Sequence, residues 1–249
     1  MKDVLLCVIA HPDDETMLTG GVLACLDARG VAVHILCATR GEGGELGEPP
    51  VCTREALGSV REAELRCAAA ALGATSVDFL DYVDPQVTPG GRLRPFRADP
   101  AAFEAQIAMT IEHLEPSIVL THGSAGEYGH PAHVLVHETV TRAHRAARIV
   151  GDLQPPALVT FCAALPDRQD RIHNQADPAD VVVDVTPWLG VKSAAAACHR
   201  TQHALFFRNH PEARTFREVL RPVEGLHLVW SPDGALPPLL TDWEAGDDD

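Results

Sequence analysis

The sequence predicts an α/β protein of Rossmann-like topology: a mostly parallel central sheet with helices on both faces, in a single domain. Three observations carry this. Short apolar, β-branched runs alternate with segments of helical period, the pattern of successive βαβ units. The runs are apolar at nearly every position, as strands covered on both faces must be. Turn-forming residues gather in two long stretches, 40–50 and 84–100, that follow strands, where open parallel sheets bind ligands.

The elements follow in order. Strand 3–10 runs directly into the polar segment HPDDE and then a helix over 16–29. Strand 31–39 leads into the loop RGEGGELGEPP, and helix 54–72 carries an apolar stripe through Leu65, Ala69 and Leu72 with an i,i+4 pair, Glu62 and Arg66, before Gly73 stops it. Strand 76–80, helix 100–114, strand 117–122 and helix 131–150 come next. Strands 158–163 and 181–185, helix 187–204 and strand 226–230 complete the chain. The helices at 100, 131 and 187 each begin with proline, whose fixed φ suits a first helical turn. With no internal repeat and no Pro/Ser linker, the 249 residues read as one domain over 1–249 ending in a short acidic tail from about 244.

Composition removes several classes of function. Lys plus Arg number 20 against 35 Asp plus Glu, and the resulting charge of −15 repels nucleic acid and anionic lipid, so neither a nucleic acid nor a membrane is expected as partner. The N-terminus is too short in apolar residues, and too soon acidic, for a signal peptide or a membrane span. Seven scattered cysteines without a CxxC pair indicate neither a disulfide framework nor a thiolate zinc site, so a reduced, cytoplasmic chain is expected. The Gly-rich TRGEGG loop lacks both GxGxxG after the first strand and a P-loop lysine, which argues against a nucleotide.

The chemistry concentrates in two places. His11, Asp13, Asp14 and Glu15 end a buried-looking strand, and four titratable groups are costly there unless they bind something. A histidine and a carboxylate three residues on can converge on one divalent ion, but a catalytic zinc needs a third protein ligand. The segment T121–H137 offers candidates: a strand ending at His122, a Gly-rich loop, then His130, His133 and His137 around one helix N-terminus. Both clusters fall at strand C-terminal ends and can meet across the crevice of a doubly wound sheet. In the loop after the third strand, Asp84 reads equally as an acceptor for a sugar hydroxyl and as a turn residue before Pro85.

AHPDDE, then TRGEGG, then REAE with Leu72–Gly73, then GEYGHPAH, then Lys192 followed by HRTQ, give an order that resembles the PIG-L (LmbE-like) deacetylases over about residues 5–205. The resemblance implies a zinc-dependent enzyme that removes an acetyl group from N-acetylglucosaminyl conjugates. It also implies roles by position. His11, Asp14 and His133 would hold one zinc ion per chain, with Fe2+ or Co2+ as other metals compatible with such donors. Asp13 would be the general base, His130 the general acid or oxyanion partner, Tyr128 a second donor to the developing charge, and Arg61 the sugar-contacting arginine. The partner would be a small amino-sugar conjugate, and a homo-oligomer is compatible with it.

One residue departs from the pattern. Ala132 stands where the family often has an aspartate that orients or charges the neighbouring histidine, so a weaker site, a less basic catalytic acid, or another group holding that histidine is expected. His199 and Gln202 divide between packing and lining the site, and Glu15 reads as a supporting or capping residue. Two alternatives stay open: an amidase of a thiol conjugate, and a metal-binding relative with weakened catalysis. The presence of Asp13, a base that need not be a ligand, speaks against the second.

Overall fold

The computed structural model describes residues 3–87, 90–150, 155–166 and 174–241, the side chains of 147–150 excepted. The acidic tail and His173 lie outside the described residues. In chain order the elements are β1 (Val4–Ile9), α1 (Asp14–Ala28), β2 (Ala32–Thr39), α2 (Leu57–Ala71), β3 (Ser76–Tyr82), α3 (Pro100–Leu114), β4 (Ile118–Thr121) and the kinked turn α4 (Gly126–Gly129). After these come α5 (Pro131–Val150), β5 (Ala157–Phe161), β6 (Ala163–Ala164), β7 (Asn174–Pro178), β8 (Val181–Asp184), α6 (Leu189–Cys198), α7 (His203–Asn209), α8 (Phe216–Val219) and β9 (Val223–Trp230).

Seven strands form one sheet in the order β3-β2-β1-β4-β5-β9-β8. The first five are parallel; β9 runs antiparallel to both of its neighbours. The strand order reverses between β1 and β4, which pair directly with Val8 opposite Thr121. At such a switch point the loops after the two strands part to opposite faces and leave a crevice between them. Those loops are HPDDE after β1 and HGSAGEYGHPAH after β4.

Alternation along β1 divides the core. Leu5, Cys7 and Ile9 pack with α1 and α2 on one face, while Leu6, Val8 and Ala10 pack with Phe103 and Ile107 of α3 and Val136 and Val140 of α5 on the other. Both faces of the strand are covered, which is why its sequence is apolar throughout. In α1 nearly every residue is buried, and Gly21 is required there: a Cβ on it would lie 2.4 Å from Val185 Cβ. At the same point in the helix, Glu224 of β9 accepts from the amides of Gly21 and Val22 at 2.9 and 2.8 Å. Lys192 Nζ donates to the same carboxylate at 2.6 Å.

Two expectations are corrected and one element is added. The helix over 187–204 is not continuous: a 3-10 turn (Thr186–Trp188) precedes α6, and a second (Arg200–Gln202) separates α6 from α7. The chain leaves helical geometry at His199 (φ −81°, ψ 59°), where Glu64 of α2 accepts from both the amide and the hydroxyl of Thr201 at 2.9 and 2.6 Å. Secondly, β6 and β7 form a two-stranded sheet that the polar run NQADP gave no reason to expect. Thirdly, Cys67 and Cys198 are disulfide-bonded, with their Cα atoms 5.8 Å apart. These two residues are 131 positions apart in sequence and meet only because α2 and α6 pack together, so cysteine spacing could not reveal the bond. Five other cysteines are free. Among the described residues no helix is long and apolar enough to cross a membrane.

Candidate metal centre and active site

At the end of β1 the Ala10 amide donates to His122 Nε2 at 3.0 Å, tying the two loops together before the chain turns into α1. Asp13 makes that turn with φ 106°, a left-handed conformation rare outside glycine. Glu15 supports it. One oxygen accepts the Asp13 amide at 3.0 Å, and the other is 2.5 Å from the Thr16 hydroxyl and 2.8 Å from His199 Nε2. Asp14 and Glu15 thus occupy the first turn of α1, where the helix dipole favours negative charge.

Asp14 is the hub. Its Oδ2 accepts the His11 amide at 2.9 Å and lies 3.5 Å from His11 Nδ1; its Oδ1 lies 3.3 Å from His133 Nε2. Although burial opposes ionisation, His133, His11 and His122 hold the Asp14 carboxyl well below the usual carboxylate range. His11 shows the same field from the other side: against its burial, Asp14 and Asp84 pull the imidazole up to about 9. Buried carboxylates here favour positive charge at one point between them.

Two overlapping sets of ligand atoms lie within 4.8 Å of one another among the described residues: His11, His130 and His133, and Asp14, His122 and His133. Hydrogen bonding sorts them. His122 Nε2 accepts the Ala10 amide and its Nδ1 faces Glu127 Oε2 at 3.0 Å, so neither ring nitrogen is free. His130 Nδ1 accepts the Ala132 amide at 3.3 Å, which places its proton on Nε2. By contrast, His11 Nε2 and His133 Nε2 are buried without a hydrogen-bond partner, and His133 Nδ1 is directed to Glu127 Oε2 at 2.5 Å. His11 Nε2 from the first set, His133 Nε2, common to both, and the Asp14 carboxylate from the second offer nitrogen and oxygen donors of the kind a divalent ion takes.

Around these donors stand the remaining residues. Burial pushes Asp13 up to about 6, with Asp14 adding to the rise and the Arg61 guanidinium opposing it. Arg61 is only 3% exposed. Its fork donates to Gly41 O at 3.0 Å, to Asp13 Oδ2 at 3.2 Å and to Pro12 O. Burial, together with His133 and His11, pushes His130 down to about 3, so the ring rests neutral. The His130 and His133 rings stack at 4.4 Å, and Tyr128, half-exposed, stands 5.7 Å from both. Asp84 Oδ1 lies 3.4 Å from His11 Nε2.

Two clefts open from this point. One, of about 480 Å³, is lined by His11, His130, Asp84, Arg94, Gln202 and Arg61 among others. The other, of about 580 Å³, is lined by Met17, Leu18, Phe206, Asn209, His210 and Arg221. Asp13, Asp14, Tyr128 and Leu205 line both.

All eight residues singled out from the sequence, His11, Asp13, Asp14, Arg61, Asp84, Tyr128, His130 and His133, therefore line the clefts or stand directly behind them. The pair on 199–202 separates: His199 is fully buried against Glu15, while Gln202 lines the polar cleft. His137 takes no part, its Nδ1 lying 2.9 Å from His122 O. Sequence reasoning missed Glu127. This buried carboxylate reaches His122 and His133 through a left-handed backbone (φ 59°) and is braced by Asn174, whose Nδ2 donates to Oε1 at 3.2 Å. The signal available was an acidic residue inside GEYGHPAH; Asn174, distant in sequence and in an unpredicted strand, left none.

The family model described as "PIG-L: GlcNAc-PI de-N-acetylase" matches residues 6–144, more than half of the chain. The chain belongs to the PIG-L family. Similar proteins include the 1D-myo-inositol 2-acetamido-2-deoxy-alpha-D-glucopyranoside deacetylases of Actinosynnema mirum, 35% identical over 80% of each chain, and of Mycolicibacterium smegmatis, 34% identical over 89% of this chain and 87% of that one. Among solved structures, this PIG-L chain resembles the N,N'-diacetylchitobiose deacetylase of Pyrococcus horikoshii (TM-score 0.66, 18% identity, 91% of this chain and 84% of that one). It also resembles the 4-carboxy-2-hydroxymuconate hydratase of Pseudomonas putida (TM-score 0.66, 24% identity, 92% and 97%). A deacetylase and a hydratase share the architecture, so the structural likeness shows the fold, and the reaction must be argued from the site.

Proposed function

We propose that this PIG-L protein hydrolyses the N-acetyl amide of a glucosaminyl conjugate, using one divalent metal ion, zinc, held by His11, Asp14 and His133. The observation that carries the reading is the set of groups around those donors: a carboxylate that need not be a ligand, Asp13, with a neutral imidazole, His130, and a phenol, Tyr128, on one cleft. The deacetylase relatives above 30% identity support the substrate class.

Zinc in this donor set supplies Lewis-acid polarisation of the amide carbonyl and eases deprotonation of water near neutral pH, chemistry that Fe2+ or Co2+ suits as well. The protein does the rest. Asp13, whose carboxyl burial raises above the usual carboxylate range, receives one proton from the attacking water. Tyr128 donates to the oxygen on which negative charge develops. His130, its proton on Nε2, steadies the nitrogen by a hydrogen bond as the amide loses planarity, until the single proton held by Asp13 passes to that nitrogen and the amine leaves as the C–N bond breaks. Arg61 keeps Asp13 aimed. Asp84, Arg94 and Gln202 present a charged and polar wall to the sugar hydroxyls.

Elemental analysis of protein purified without chelator, followed by acetate release from a panel of N-acetylglucosaminyl conjugates with and without added zinc, tests the reading. One metal per chain and metal-dependent acetate are expected. A bound metal without acetate from any conjugate would turn the assignment towards the amidase or the weakened relative.

A further inference from the structure

The reaction just proposed needs only one of the two clefts for its sugar, and acetyl is far too small to occupy the other. The amide carbon carries two substituents that leave the reacting centre in opposite directions. Its amine side must sit where His130 can reach the nitrogen, and His130 lines only the cleft of about 480 Å³, which also holds the polar groups suited to hydroxyls. The acyl side then points into the cleft of about 580 Å³, across the shared residues Asp13, Asp14 and Tyr128. That volume lies within the roughly 300–1,000 Å³ of small-molecule pockets. Met17, Leu18, Leu205 and Phe206 supply its apolar lining.

We infer that this second cleft is an acyl chamber, and that the protein hydrolyses glucosaminyl amides bearing linear aliphatic acyl groups of medium length in preference to acetyl. The inference rests on the metal-dependent amide hydrolysis proposed above and adds the class of acyl group. The step is the same: water's oxygen bonds to the carbonyl carbon, the C–N bond breaks, one water proton reaches the amine through Asp13, and the other is lost as the fatty carboxylate leaves. Each methylene that enters an apolar chamber is worth about fourfold in kcat/KM when its burial is realised in the transition state.

The test is kcat/KM of the zinc-loaded protein on glucosaminyl amides carrying acetyl, butyryl, hexanoyl and octanoyl groups, read as amine released. A rise of about fifteenfold per two methylenes until the chamber fills is expected. Asn209→Trp fills the chamber from an exposed position at the end of α7, and should lower the hexanoyl-to-acetyl ratio at least tenfold; Met17→Trp, at a half-buried lining residue of α1, is the second variant. Hydrolysis of acetyl with a steady decline through butyryl and hexanoyl would overturn the acyl chamber and leave the deacetylase standing. A ratio unmoved by both tryptophans would also overturn it. No amine from any amide, acetyl included, would remove the underlying hydrolase reading and the chamber with it.

Discussion

Glu127 Oε2 lies 2.5 Å from His133 Nδ1 and 3.0 Å from His122 Nδ1, so one buried carboxylate fixes the tautomer of two histidines beneath the candidate metal centre. Despite its burial, those two imidazoles hold it well below the usual carboxylate range. Ala132 itself is fully buried in the apolar layer between α5 and the sheet; Glu127 orients His133, whereas His130 is oriented by the Ala132 amide, 3.3 Å from its Nδ1. Carboxylates behind metal-bound histidines are commonly worth about 10–100-fold in metal affinity. Glu127→Ala should weaken zinc binding by about that factor in competition with a chromophoric chelator, and Glu127→Gln by less, because its amide oxygen still accepts one hydrogen bond.

Asp13 and His133 should fail in different ways. Asp13→Asn keeps the metal and lowers kcat by about 10²–10⁴, the usual worth of a general base. His133→Ala removes a donor, so metal content falls first and activity returns in part with excess zinc. Metal stoichiometry measured beside kcat separates the two. Normal turnover in Asp13→Asn would make the base assignment wrong.

The acid limb of the pH profile follows from the same residue. As the proposed base Asp13 would act only when ionised, and burial raises its carboxyl to about 6, so activity should be full above that value and be lost as pH falls through it. A bound cation beside Asp14 pulls the limb lower. A profile of log kcat/KM should therefore bend at or below about pH 6 with a slope of one, and the bend should vanish from the residual activity of Asp13→Asn.

Arg61 offers a cleaner division. A residue that contacts sugar equally in ground and transition states raises KM alone when removed, whereas one that aims the base lowers kcat. With its fork spent on Gly41, Pro12 and Asp13, Arg61→Ala is expected to lower kcat with a smaller change in KM. Arg61→Lys should recover little, since a single ammonium cannot reproduce the fork.

Lys192 and Glu224 make a buried ion pair, at 1% and 5% exposure, and neither lines the two clefts. Lys192→Met leaves the carboxylate without its counter-charge and should destabilise the protein by about 3–5 kcal/mol in denaturant unfolding. Removing both charges, in Lys192→Met with Glu224→Gln, should cost less than the single change.

Much of this was legible in the chain itself. The strands β1, β2, β4 and β5 are apolar because both faces are covered, and that burial is a property any parallel sheet imposes on sequence. His11, Asp13, Asp14, His130 and His133 announce themselves because ionisable groups at the ends of such strands are otherwise too costly. What stayed hidden depends on partners brought from elsewhere. Glu127 serves His133 only after a left-handed turn that no local propensity favours for glutamate. Asn174 braces it from a strand without apolar pattern, and Cys67 finds Cys198 only once two helices pack. The break at His199 is of the same kind, since Glu64 on another helix captures the backbone there.

The middle of α1 is keyed to its surroundings in two ways, by Val185 seated where Gly21 has no side chain and by the Glu224 carboxylate on successive amides. Asp13, Asp14 and Glu15 sit at the end of that rod, two turns from the key. The rod can neither slide nor roll without breaking the contact, so its acids meet each new substrate in the geometry they had before it arrived. Little backbone has to reorganise around those acids when a ligand enters, so the site is built before it is used.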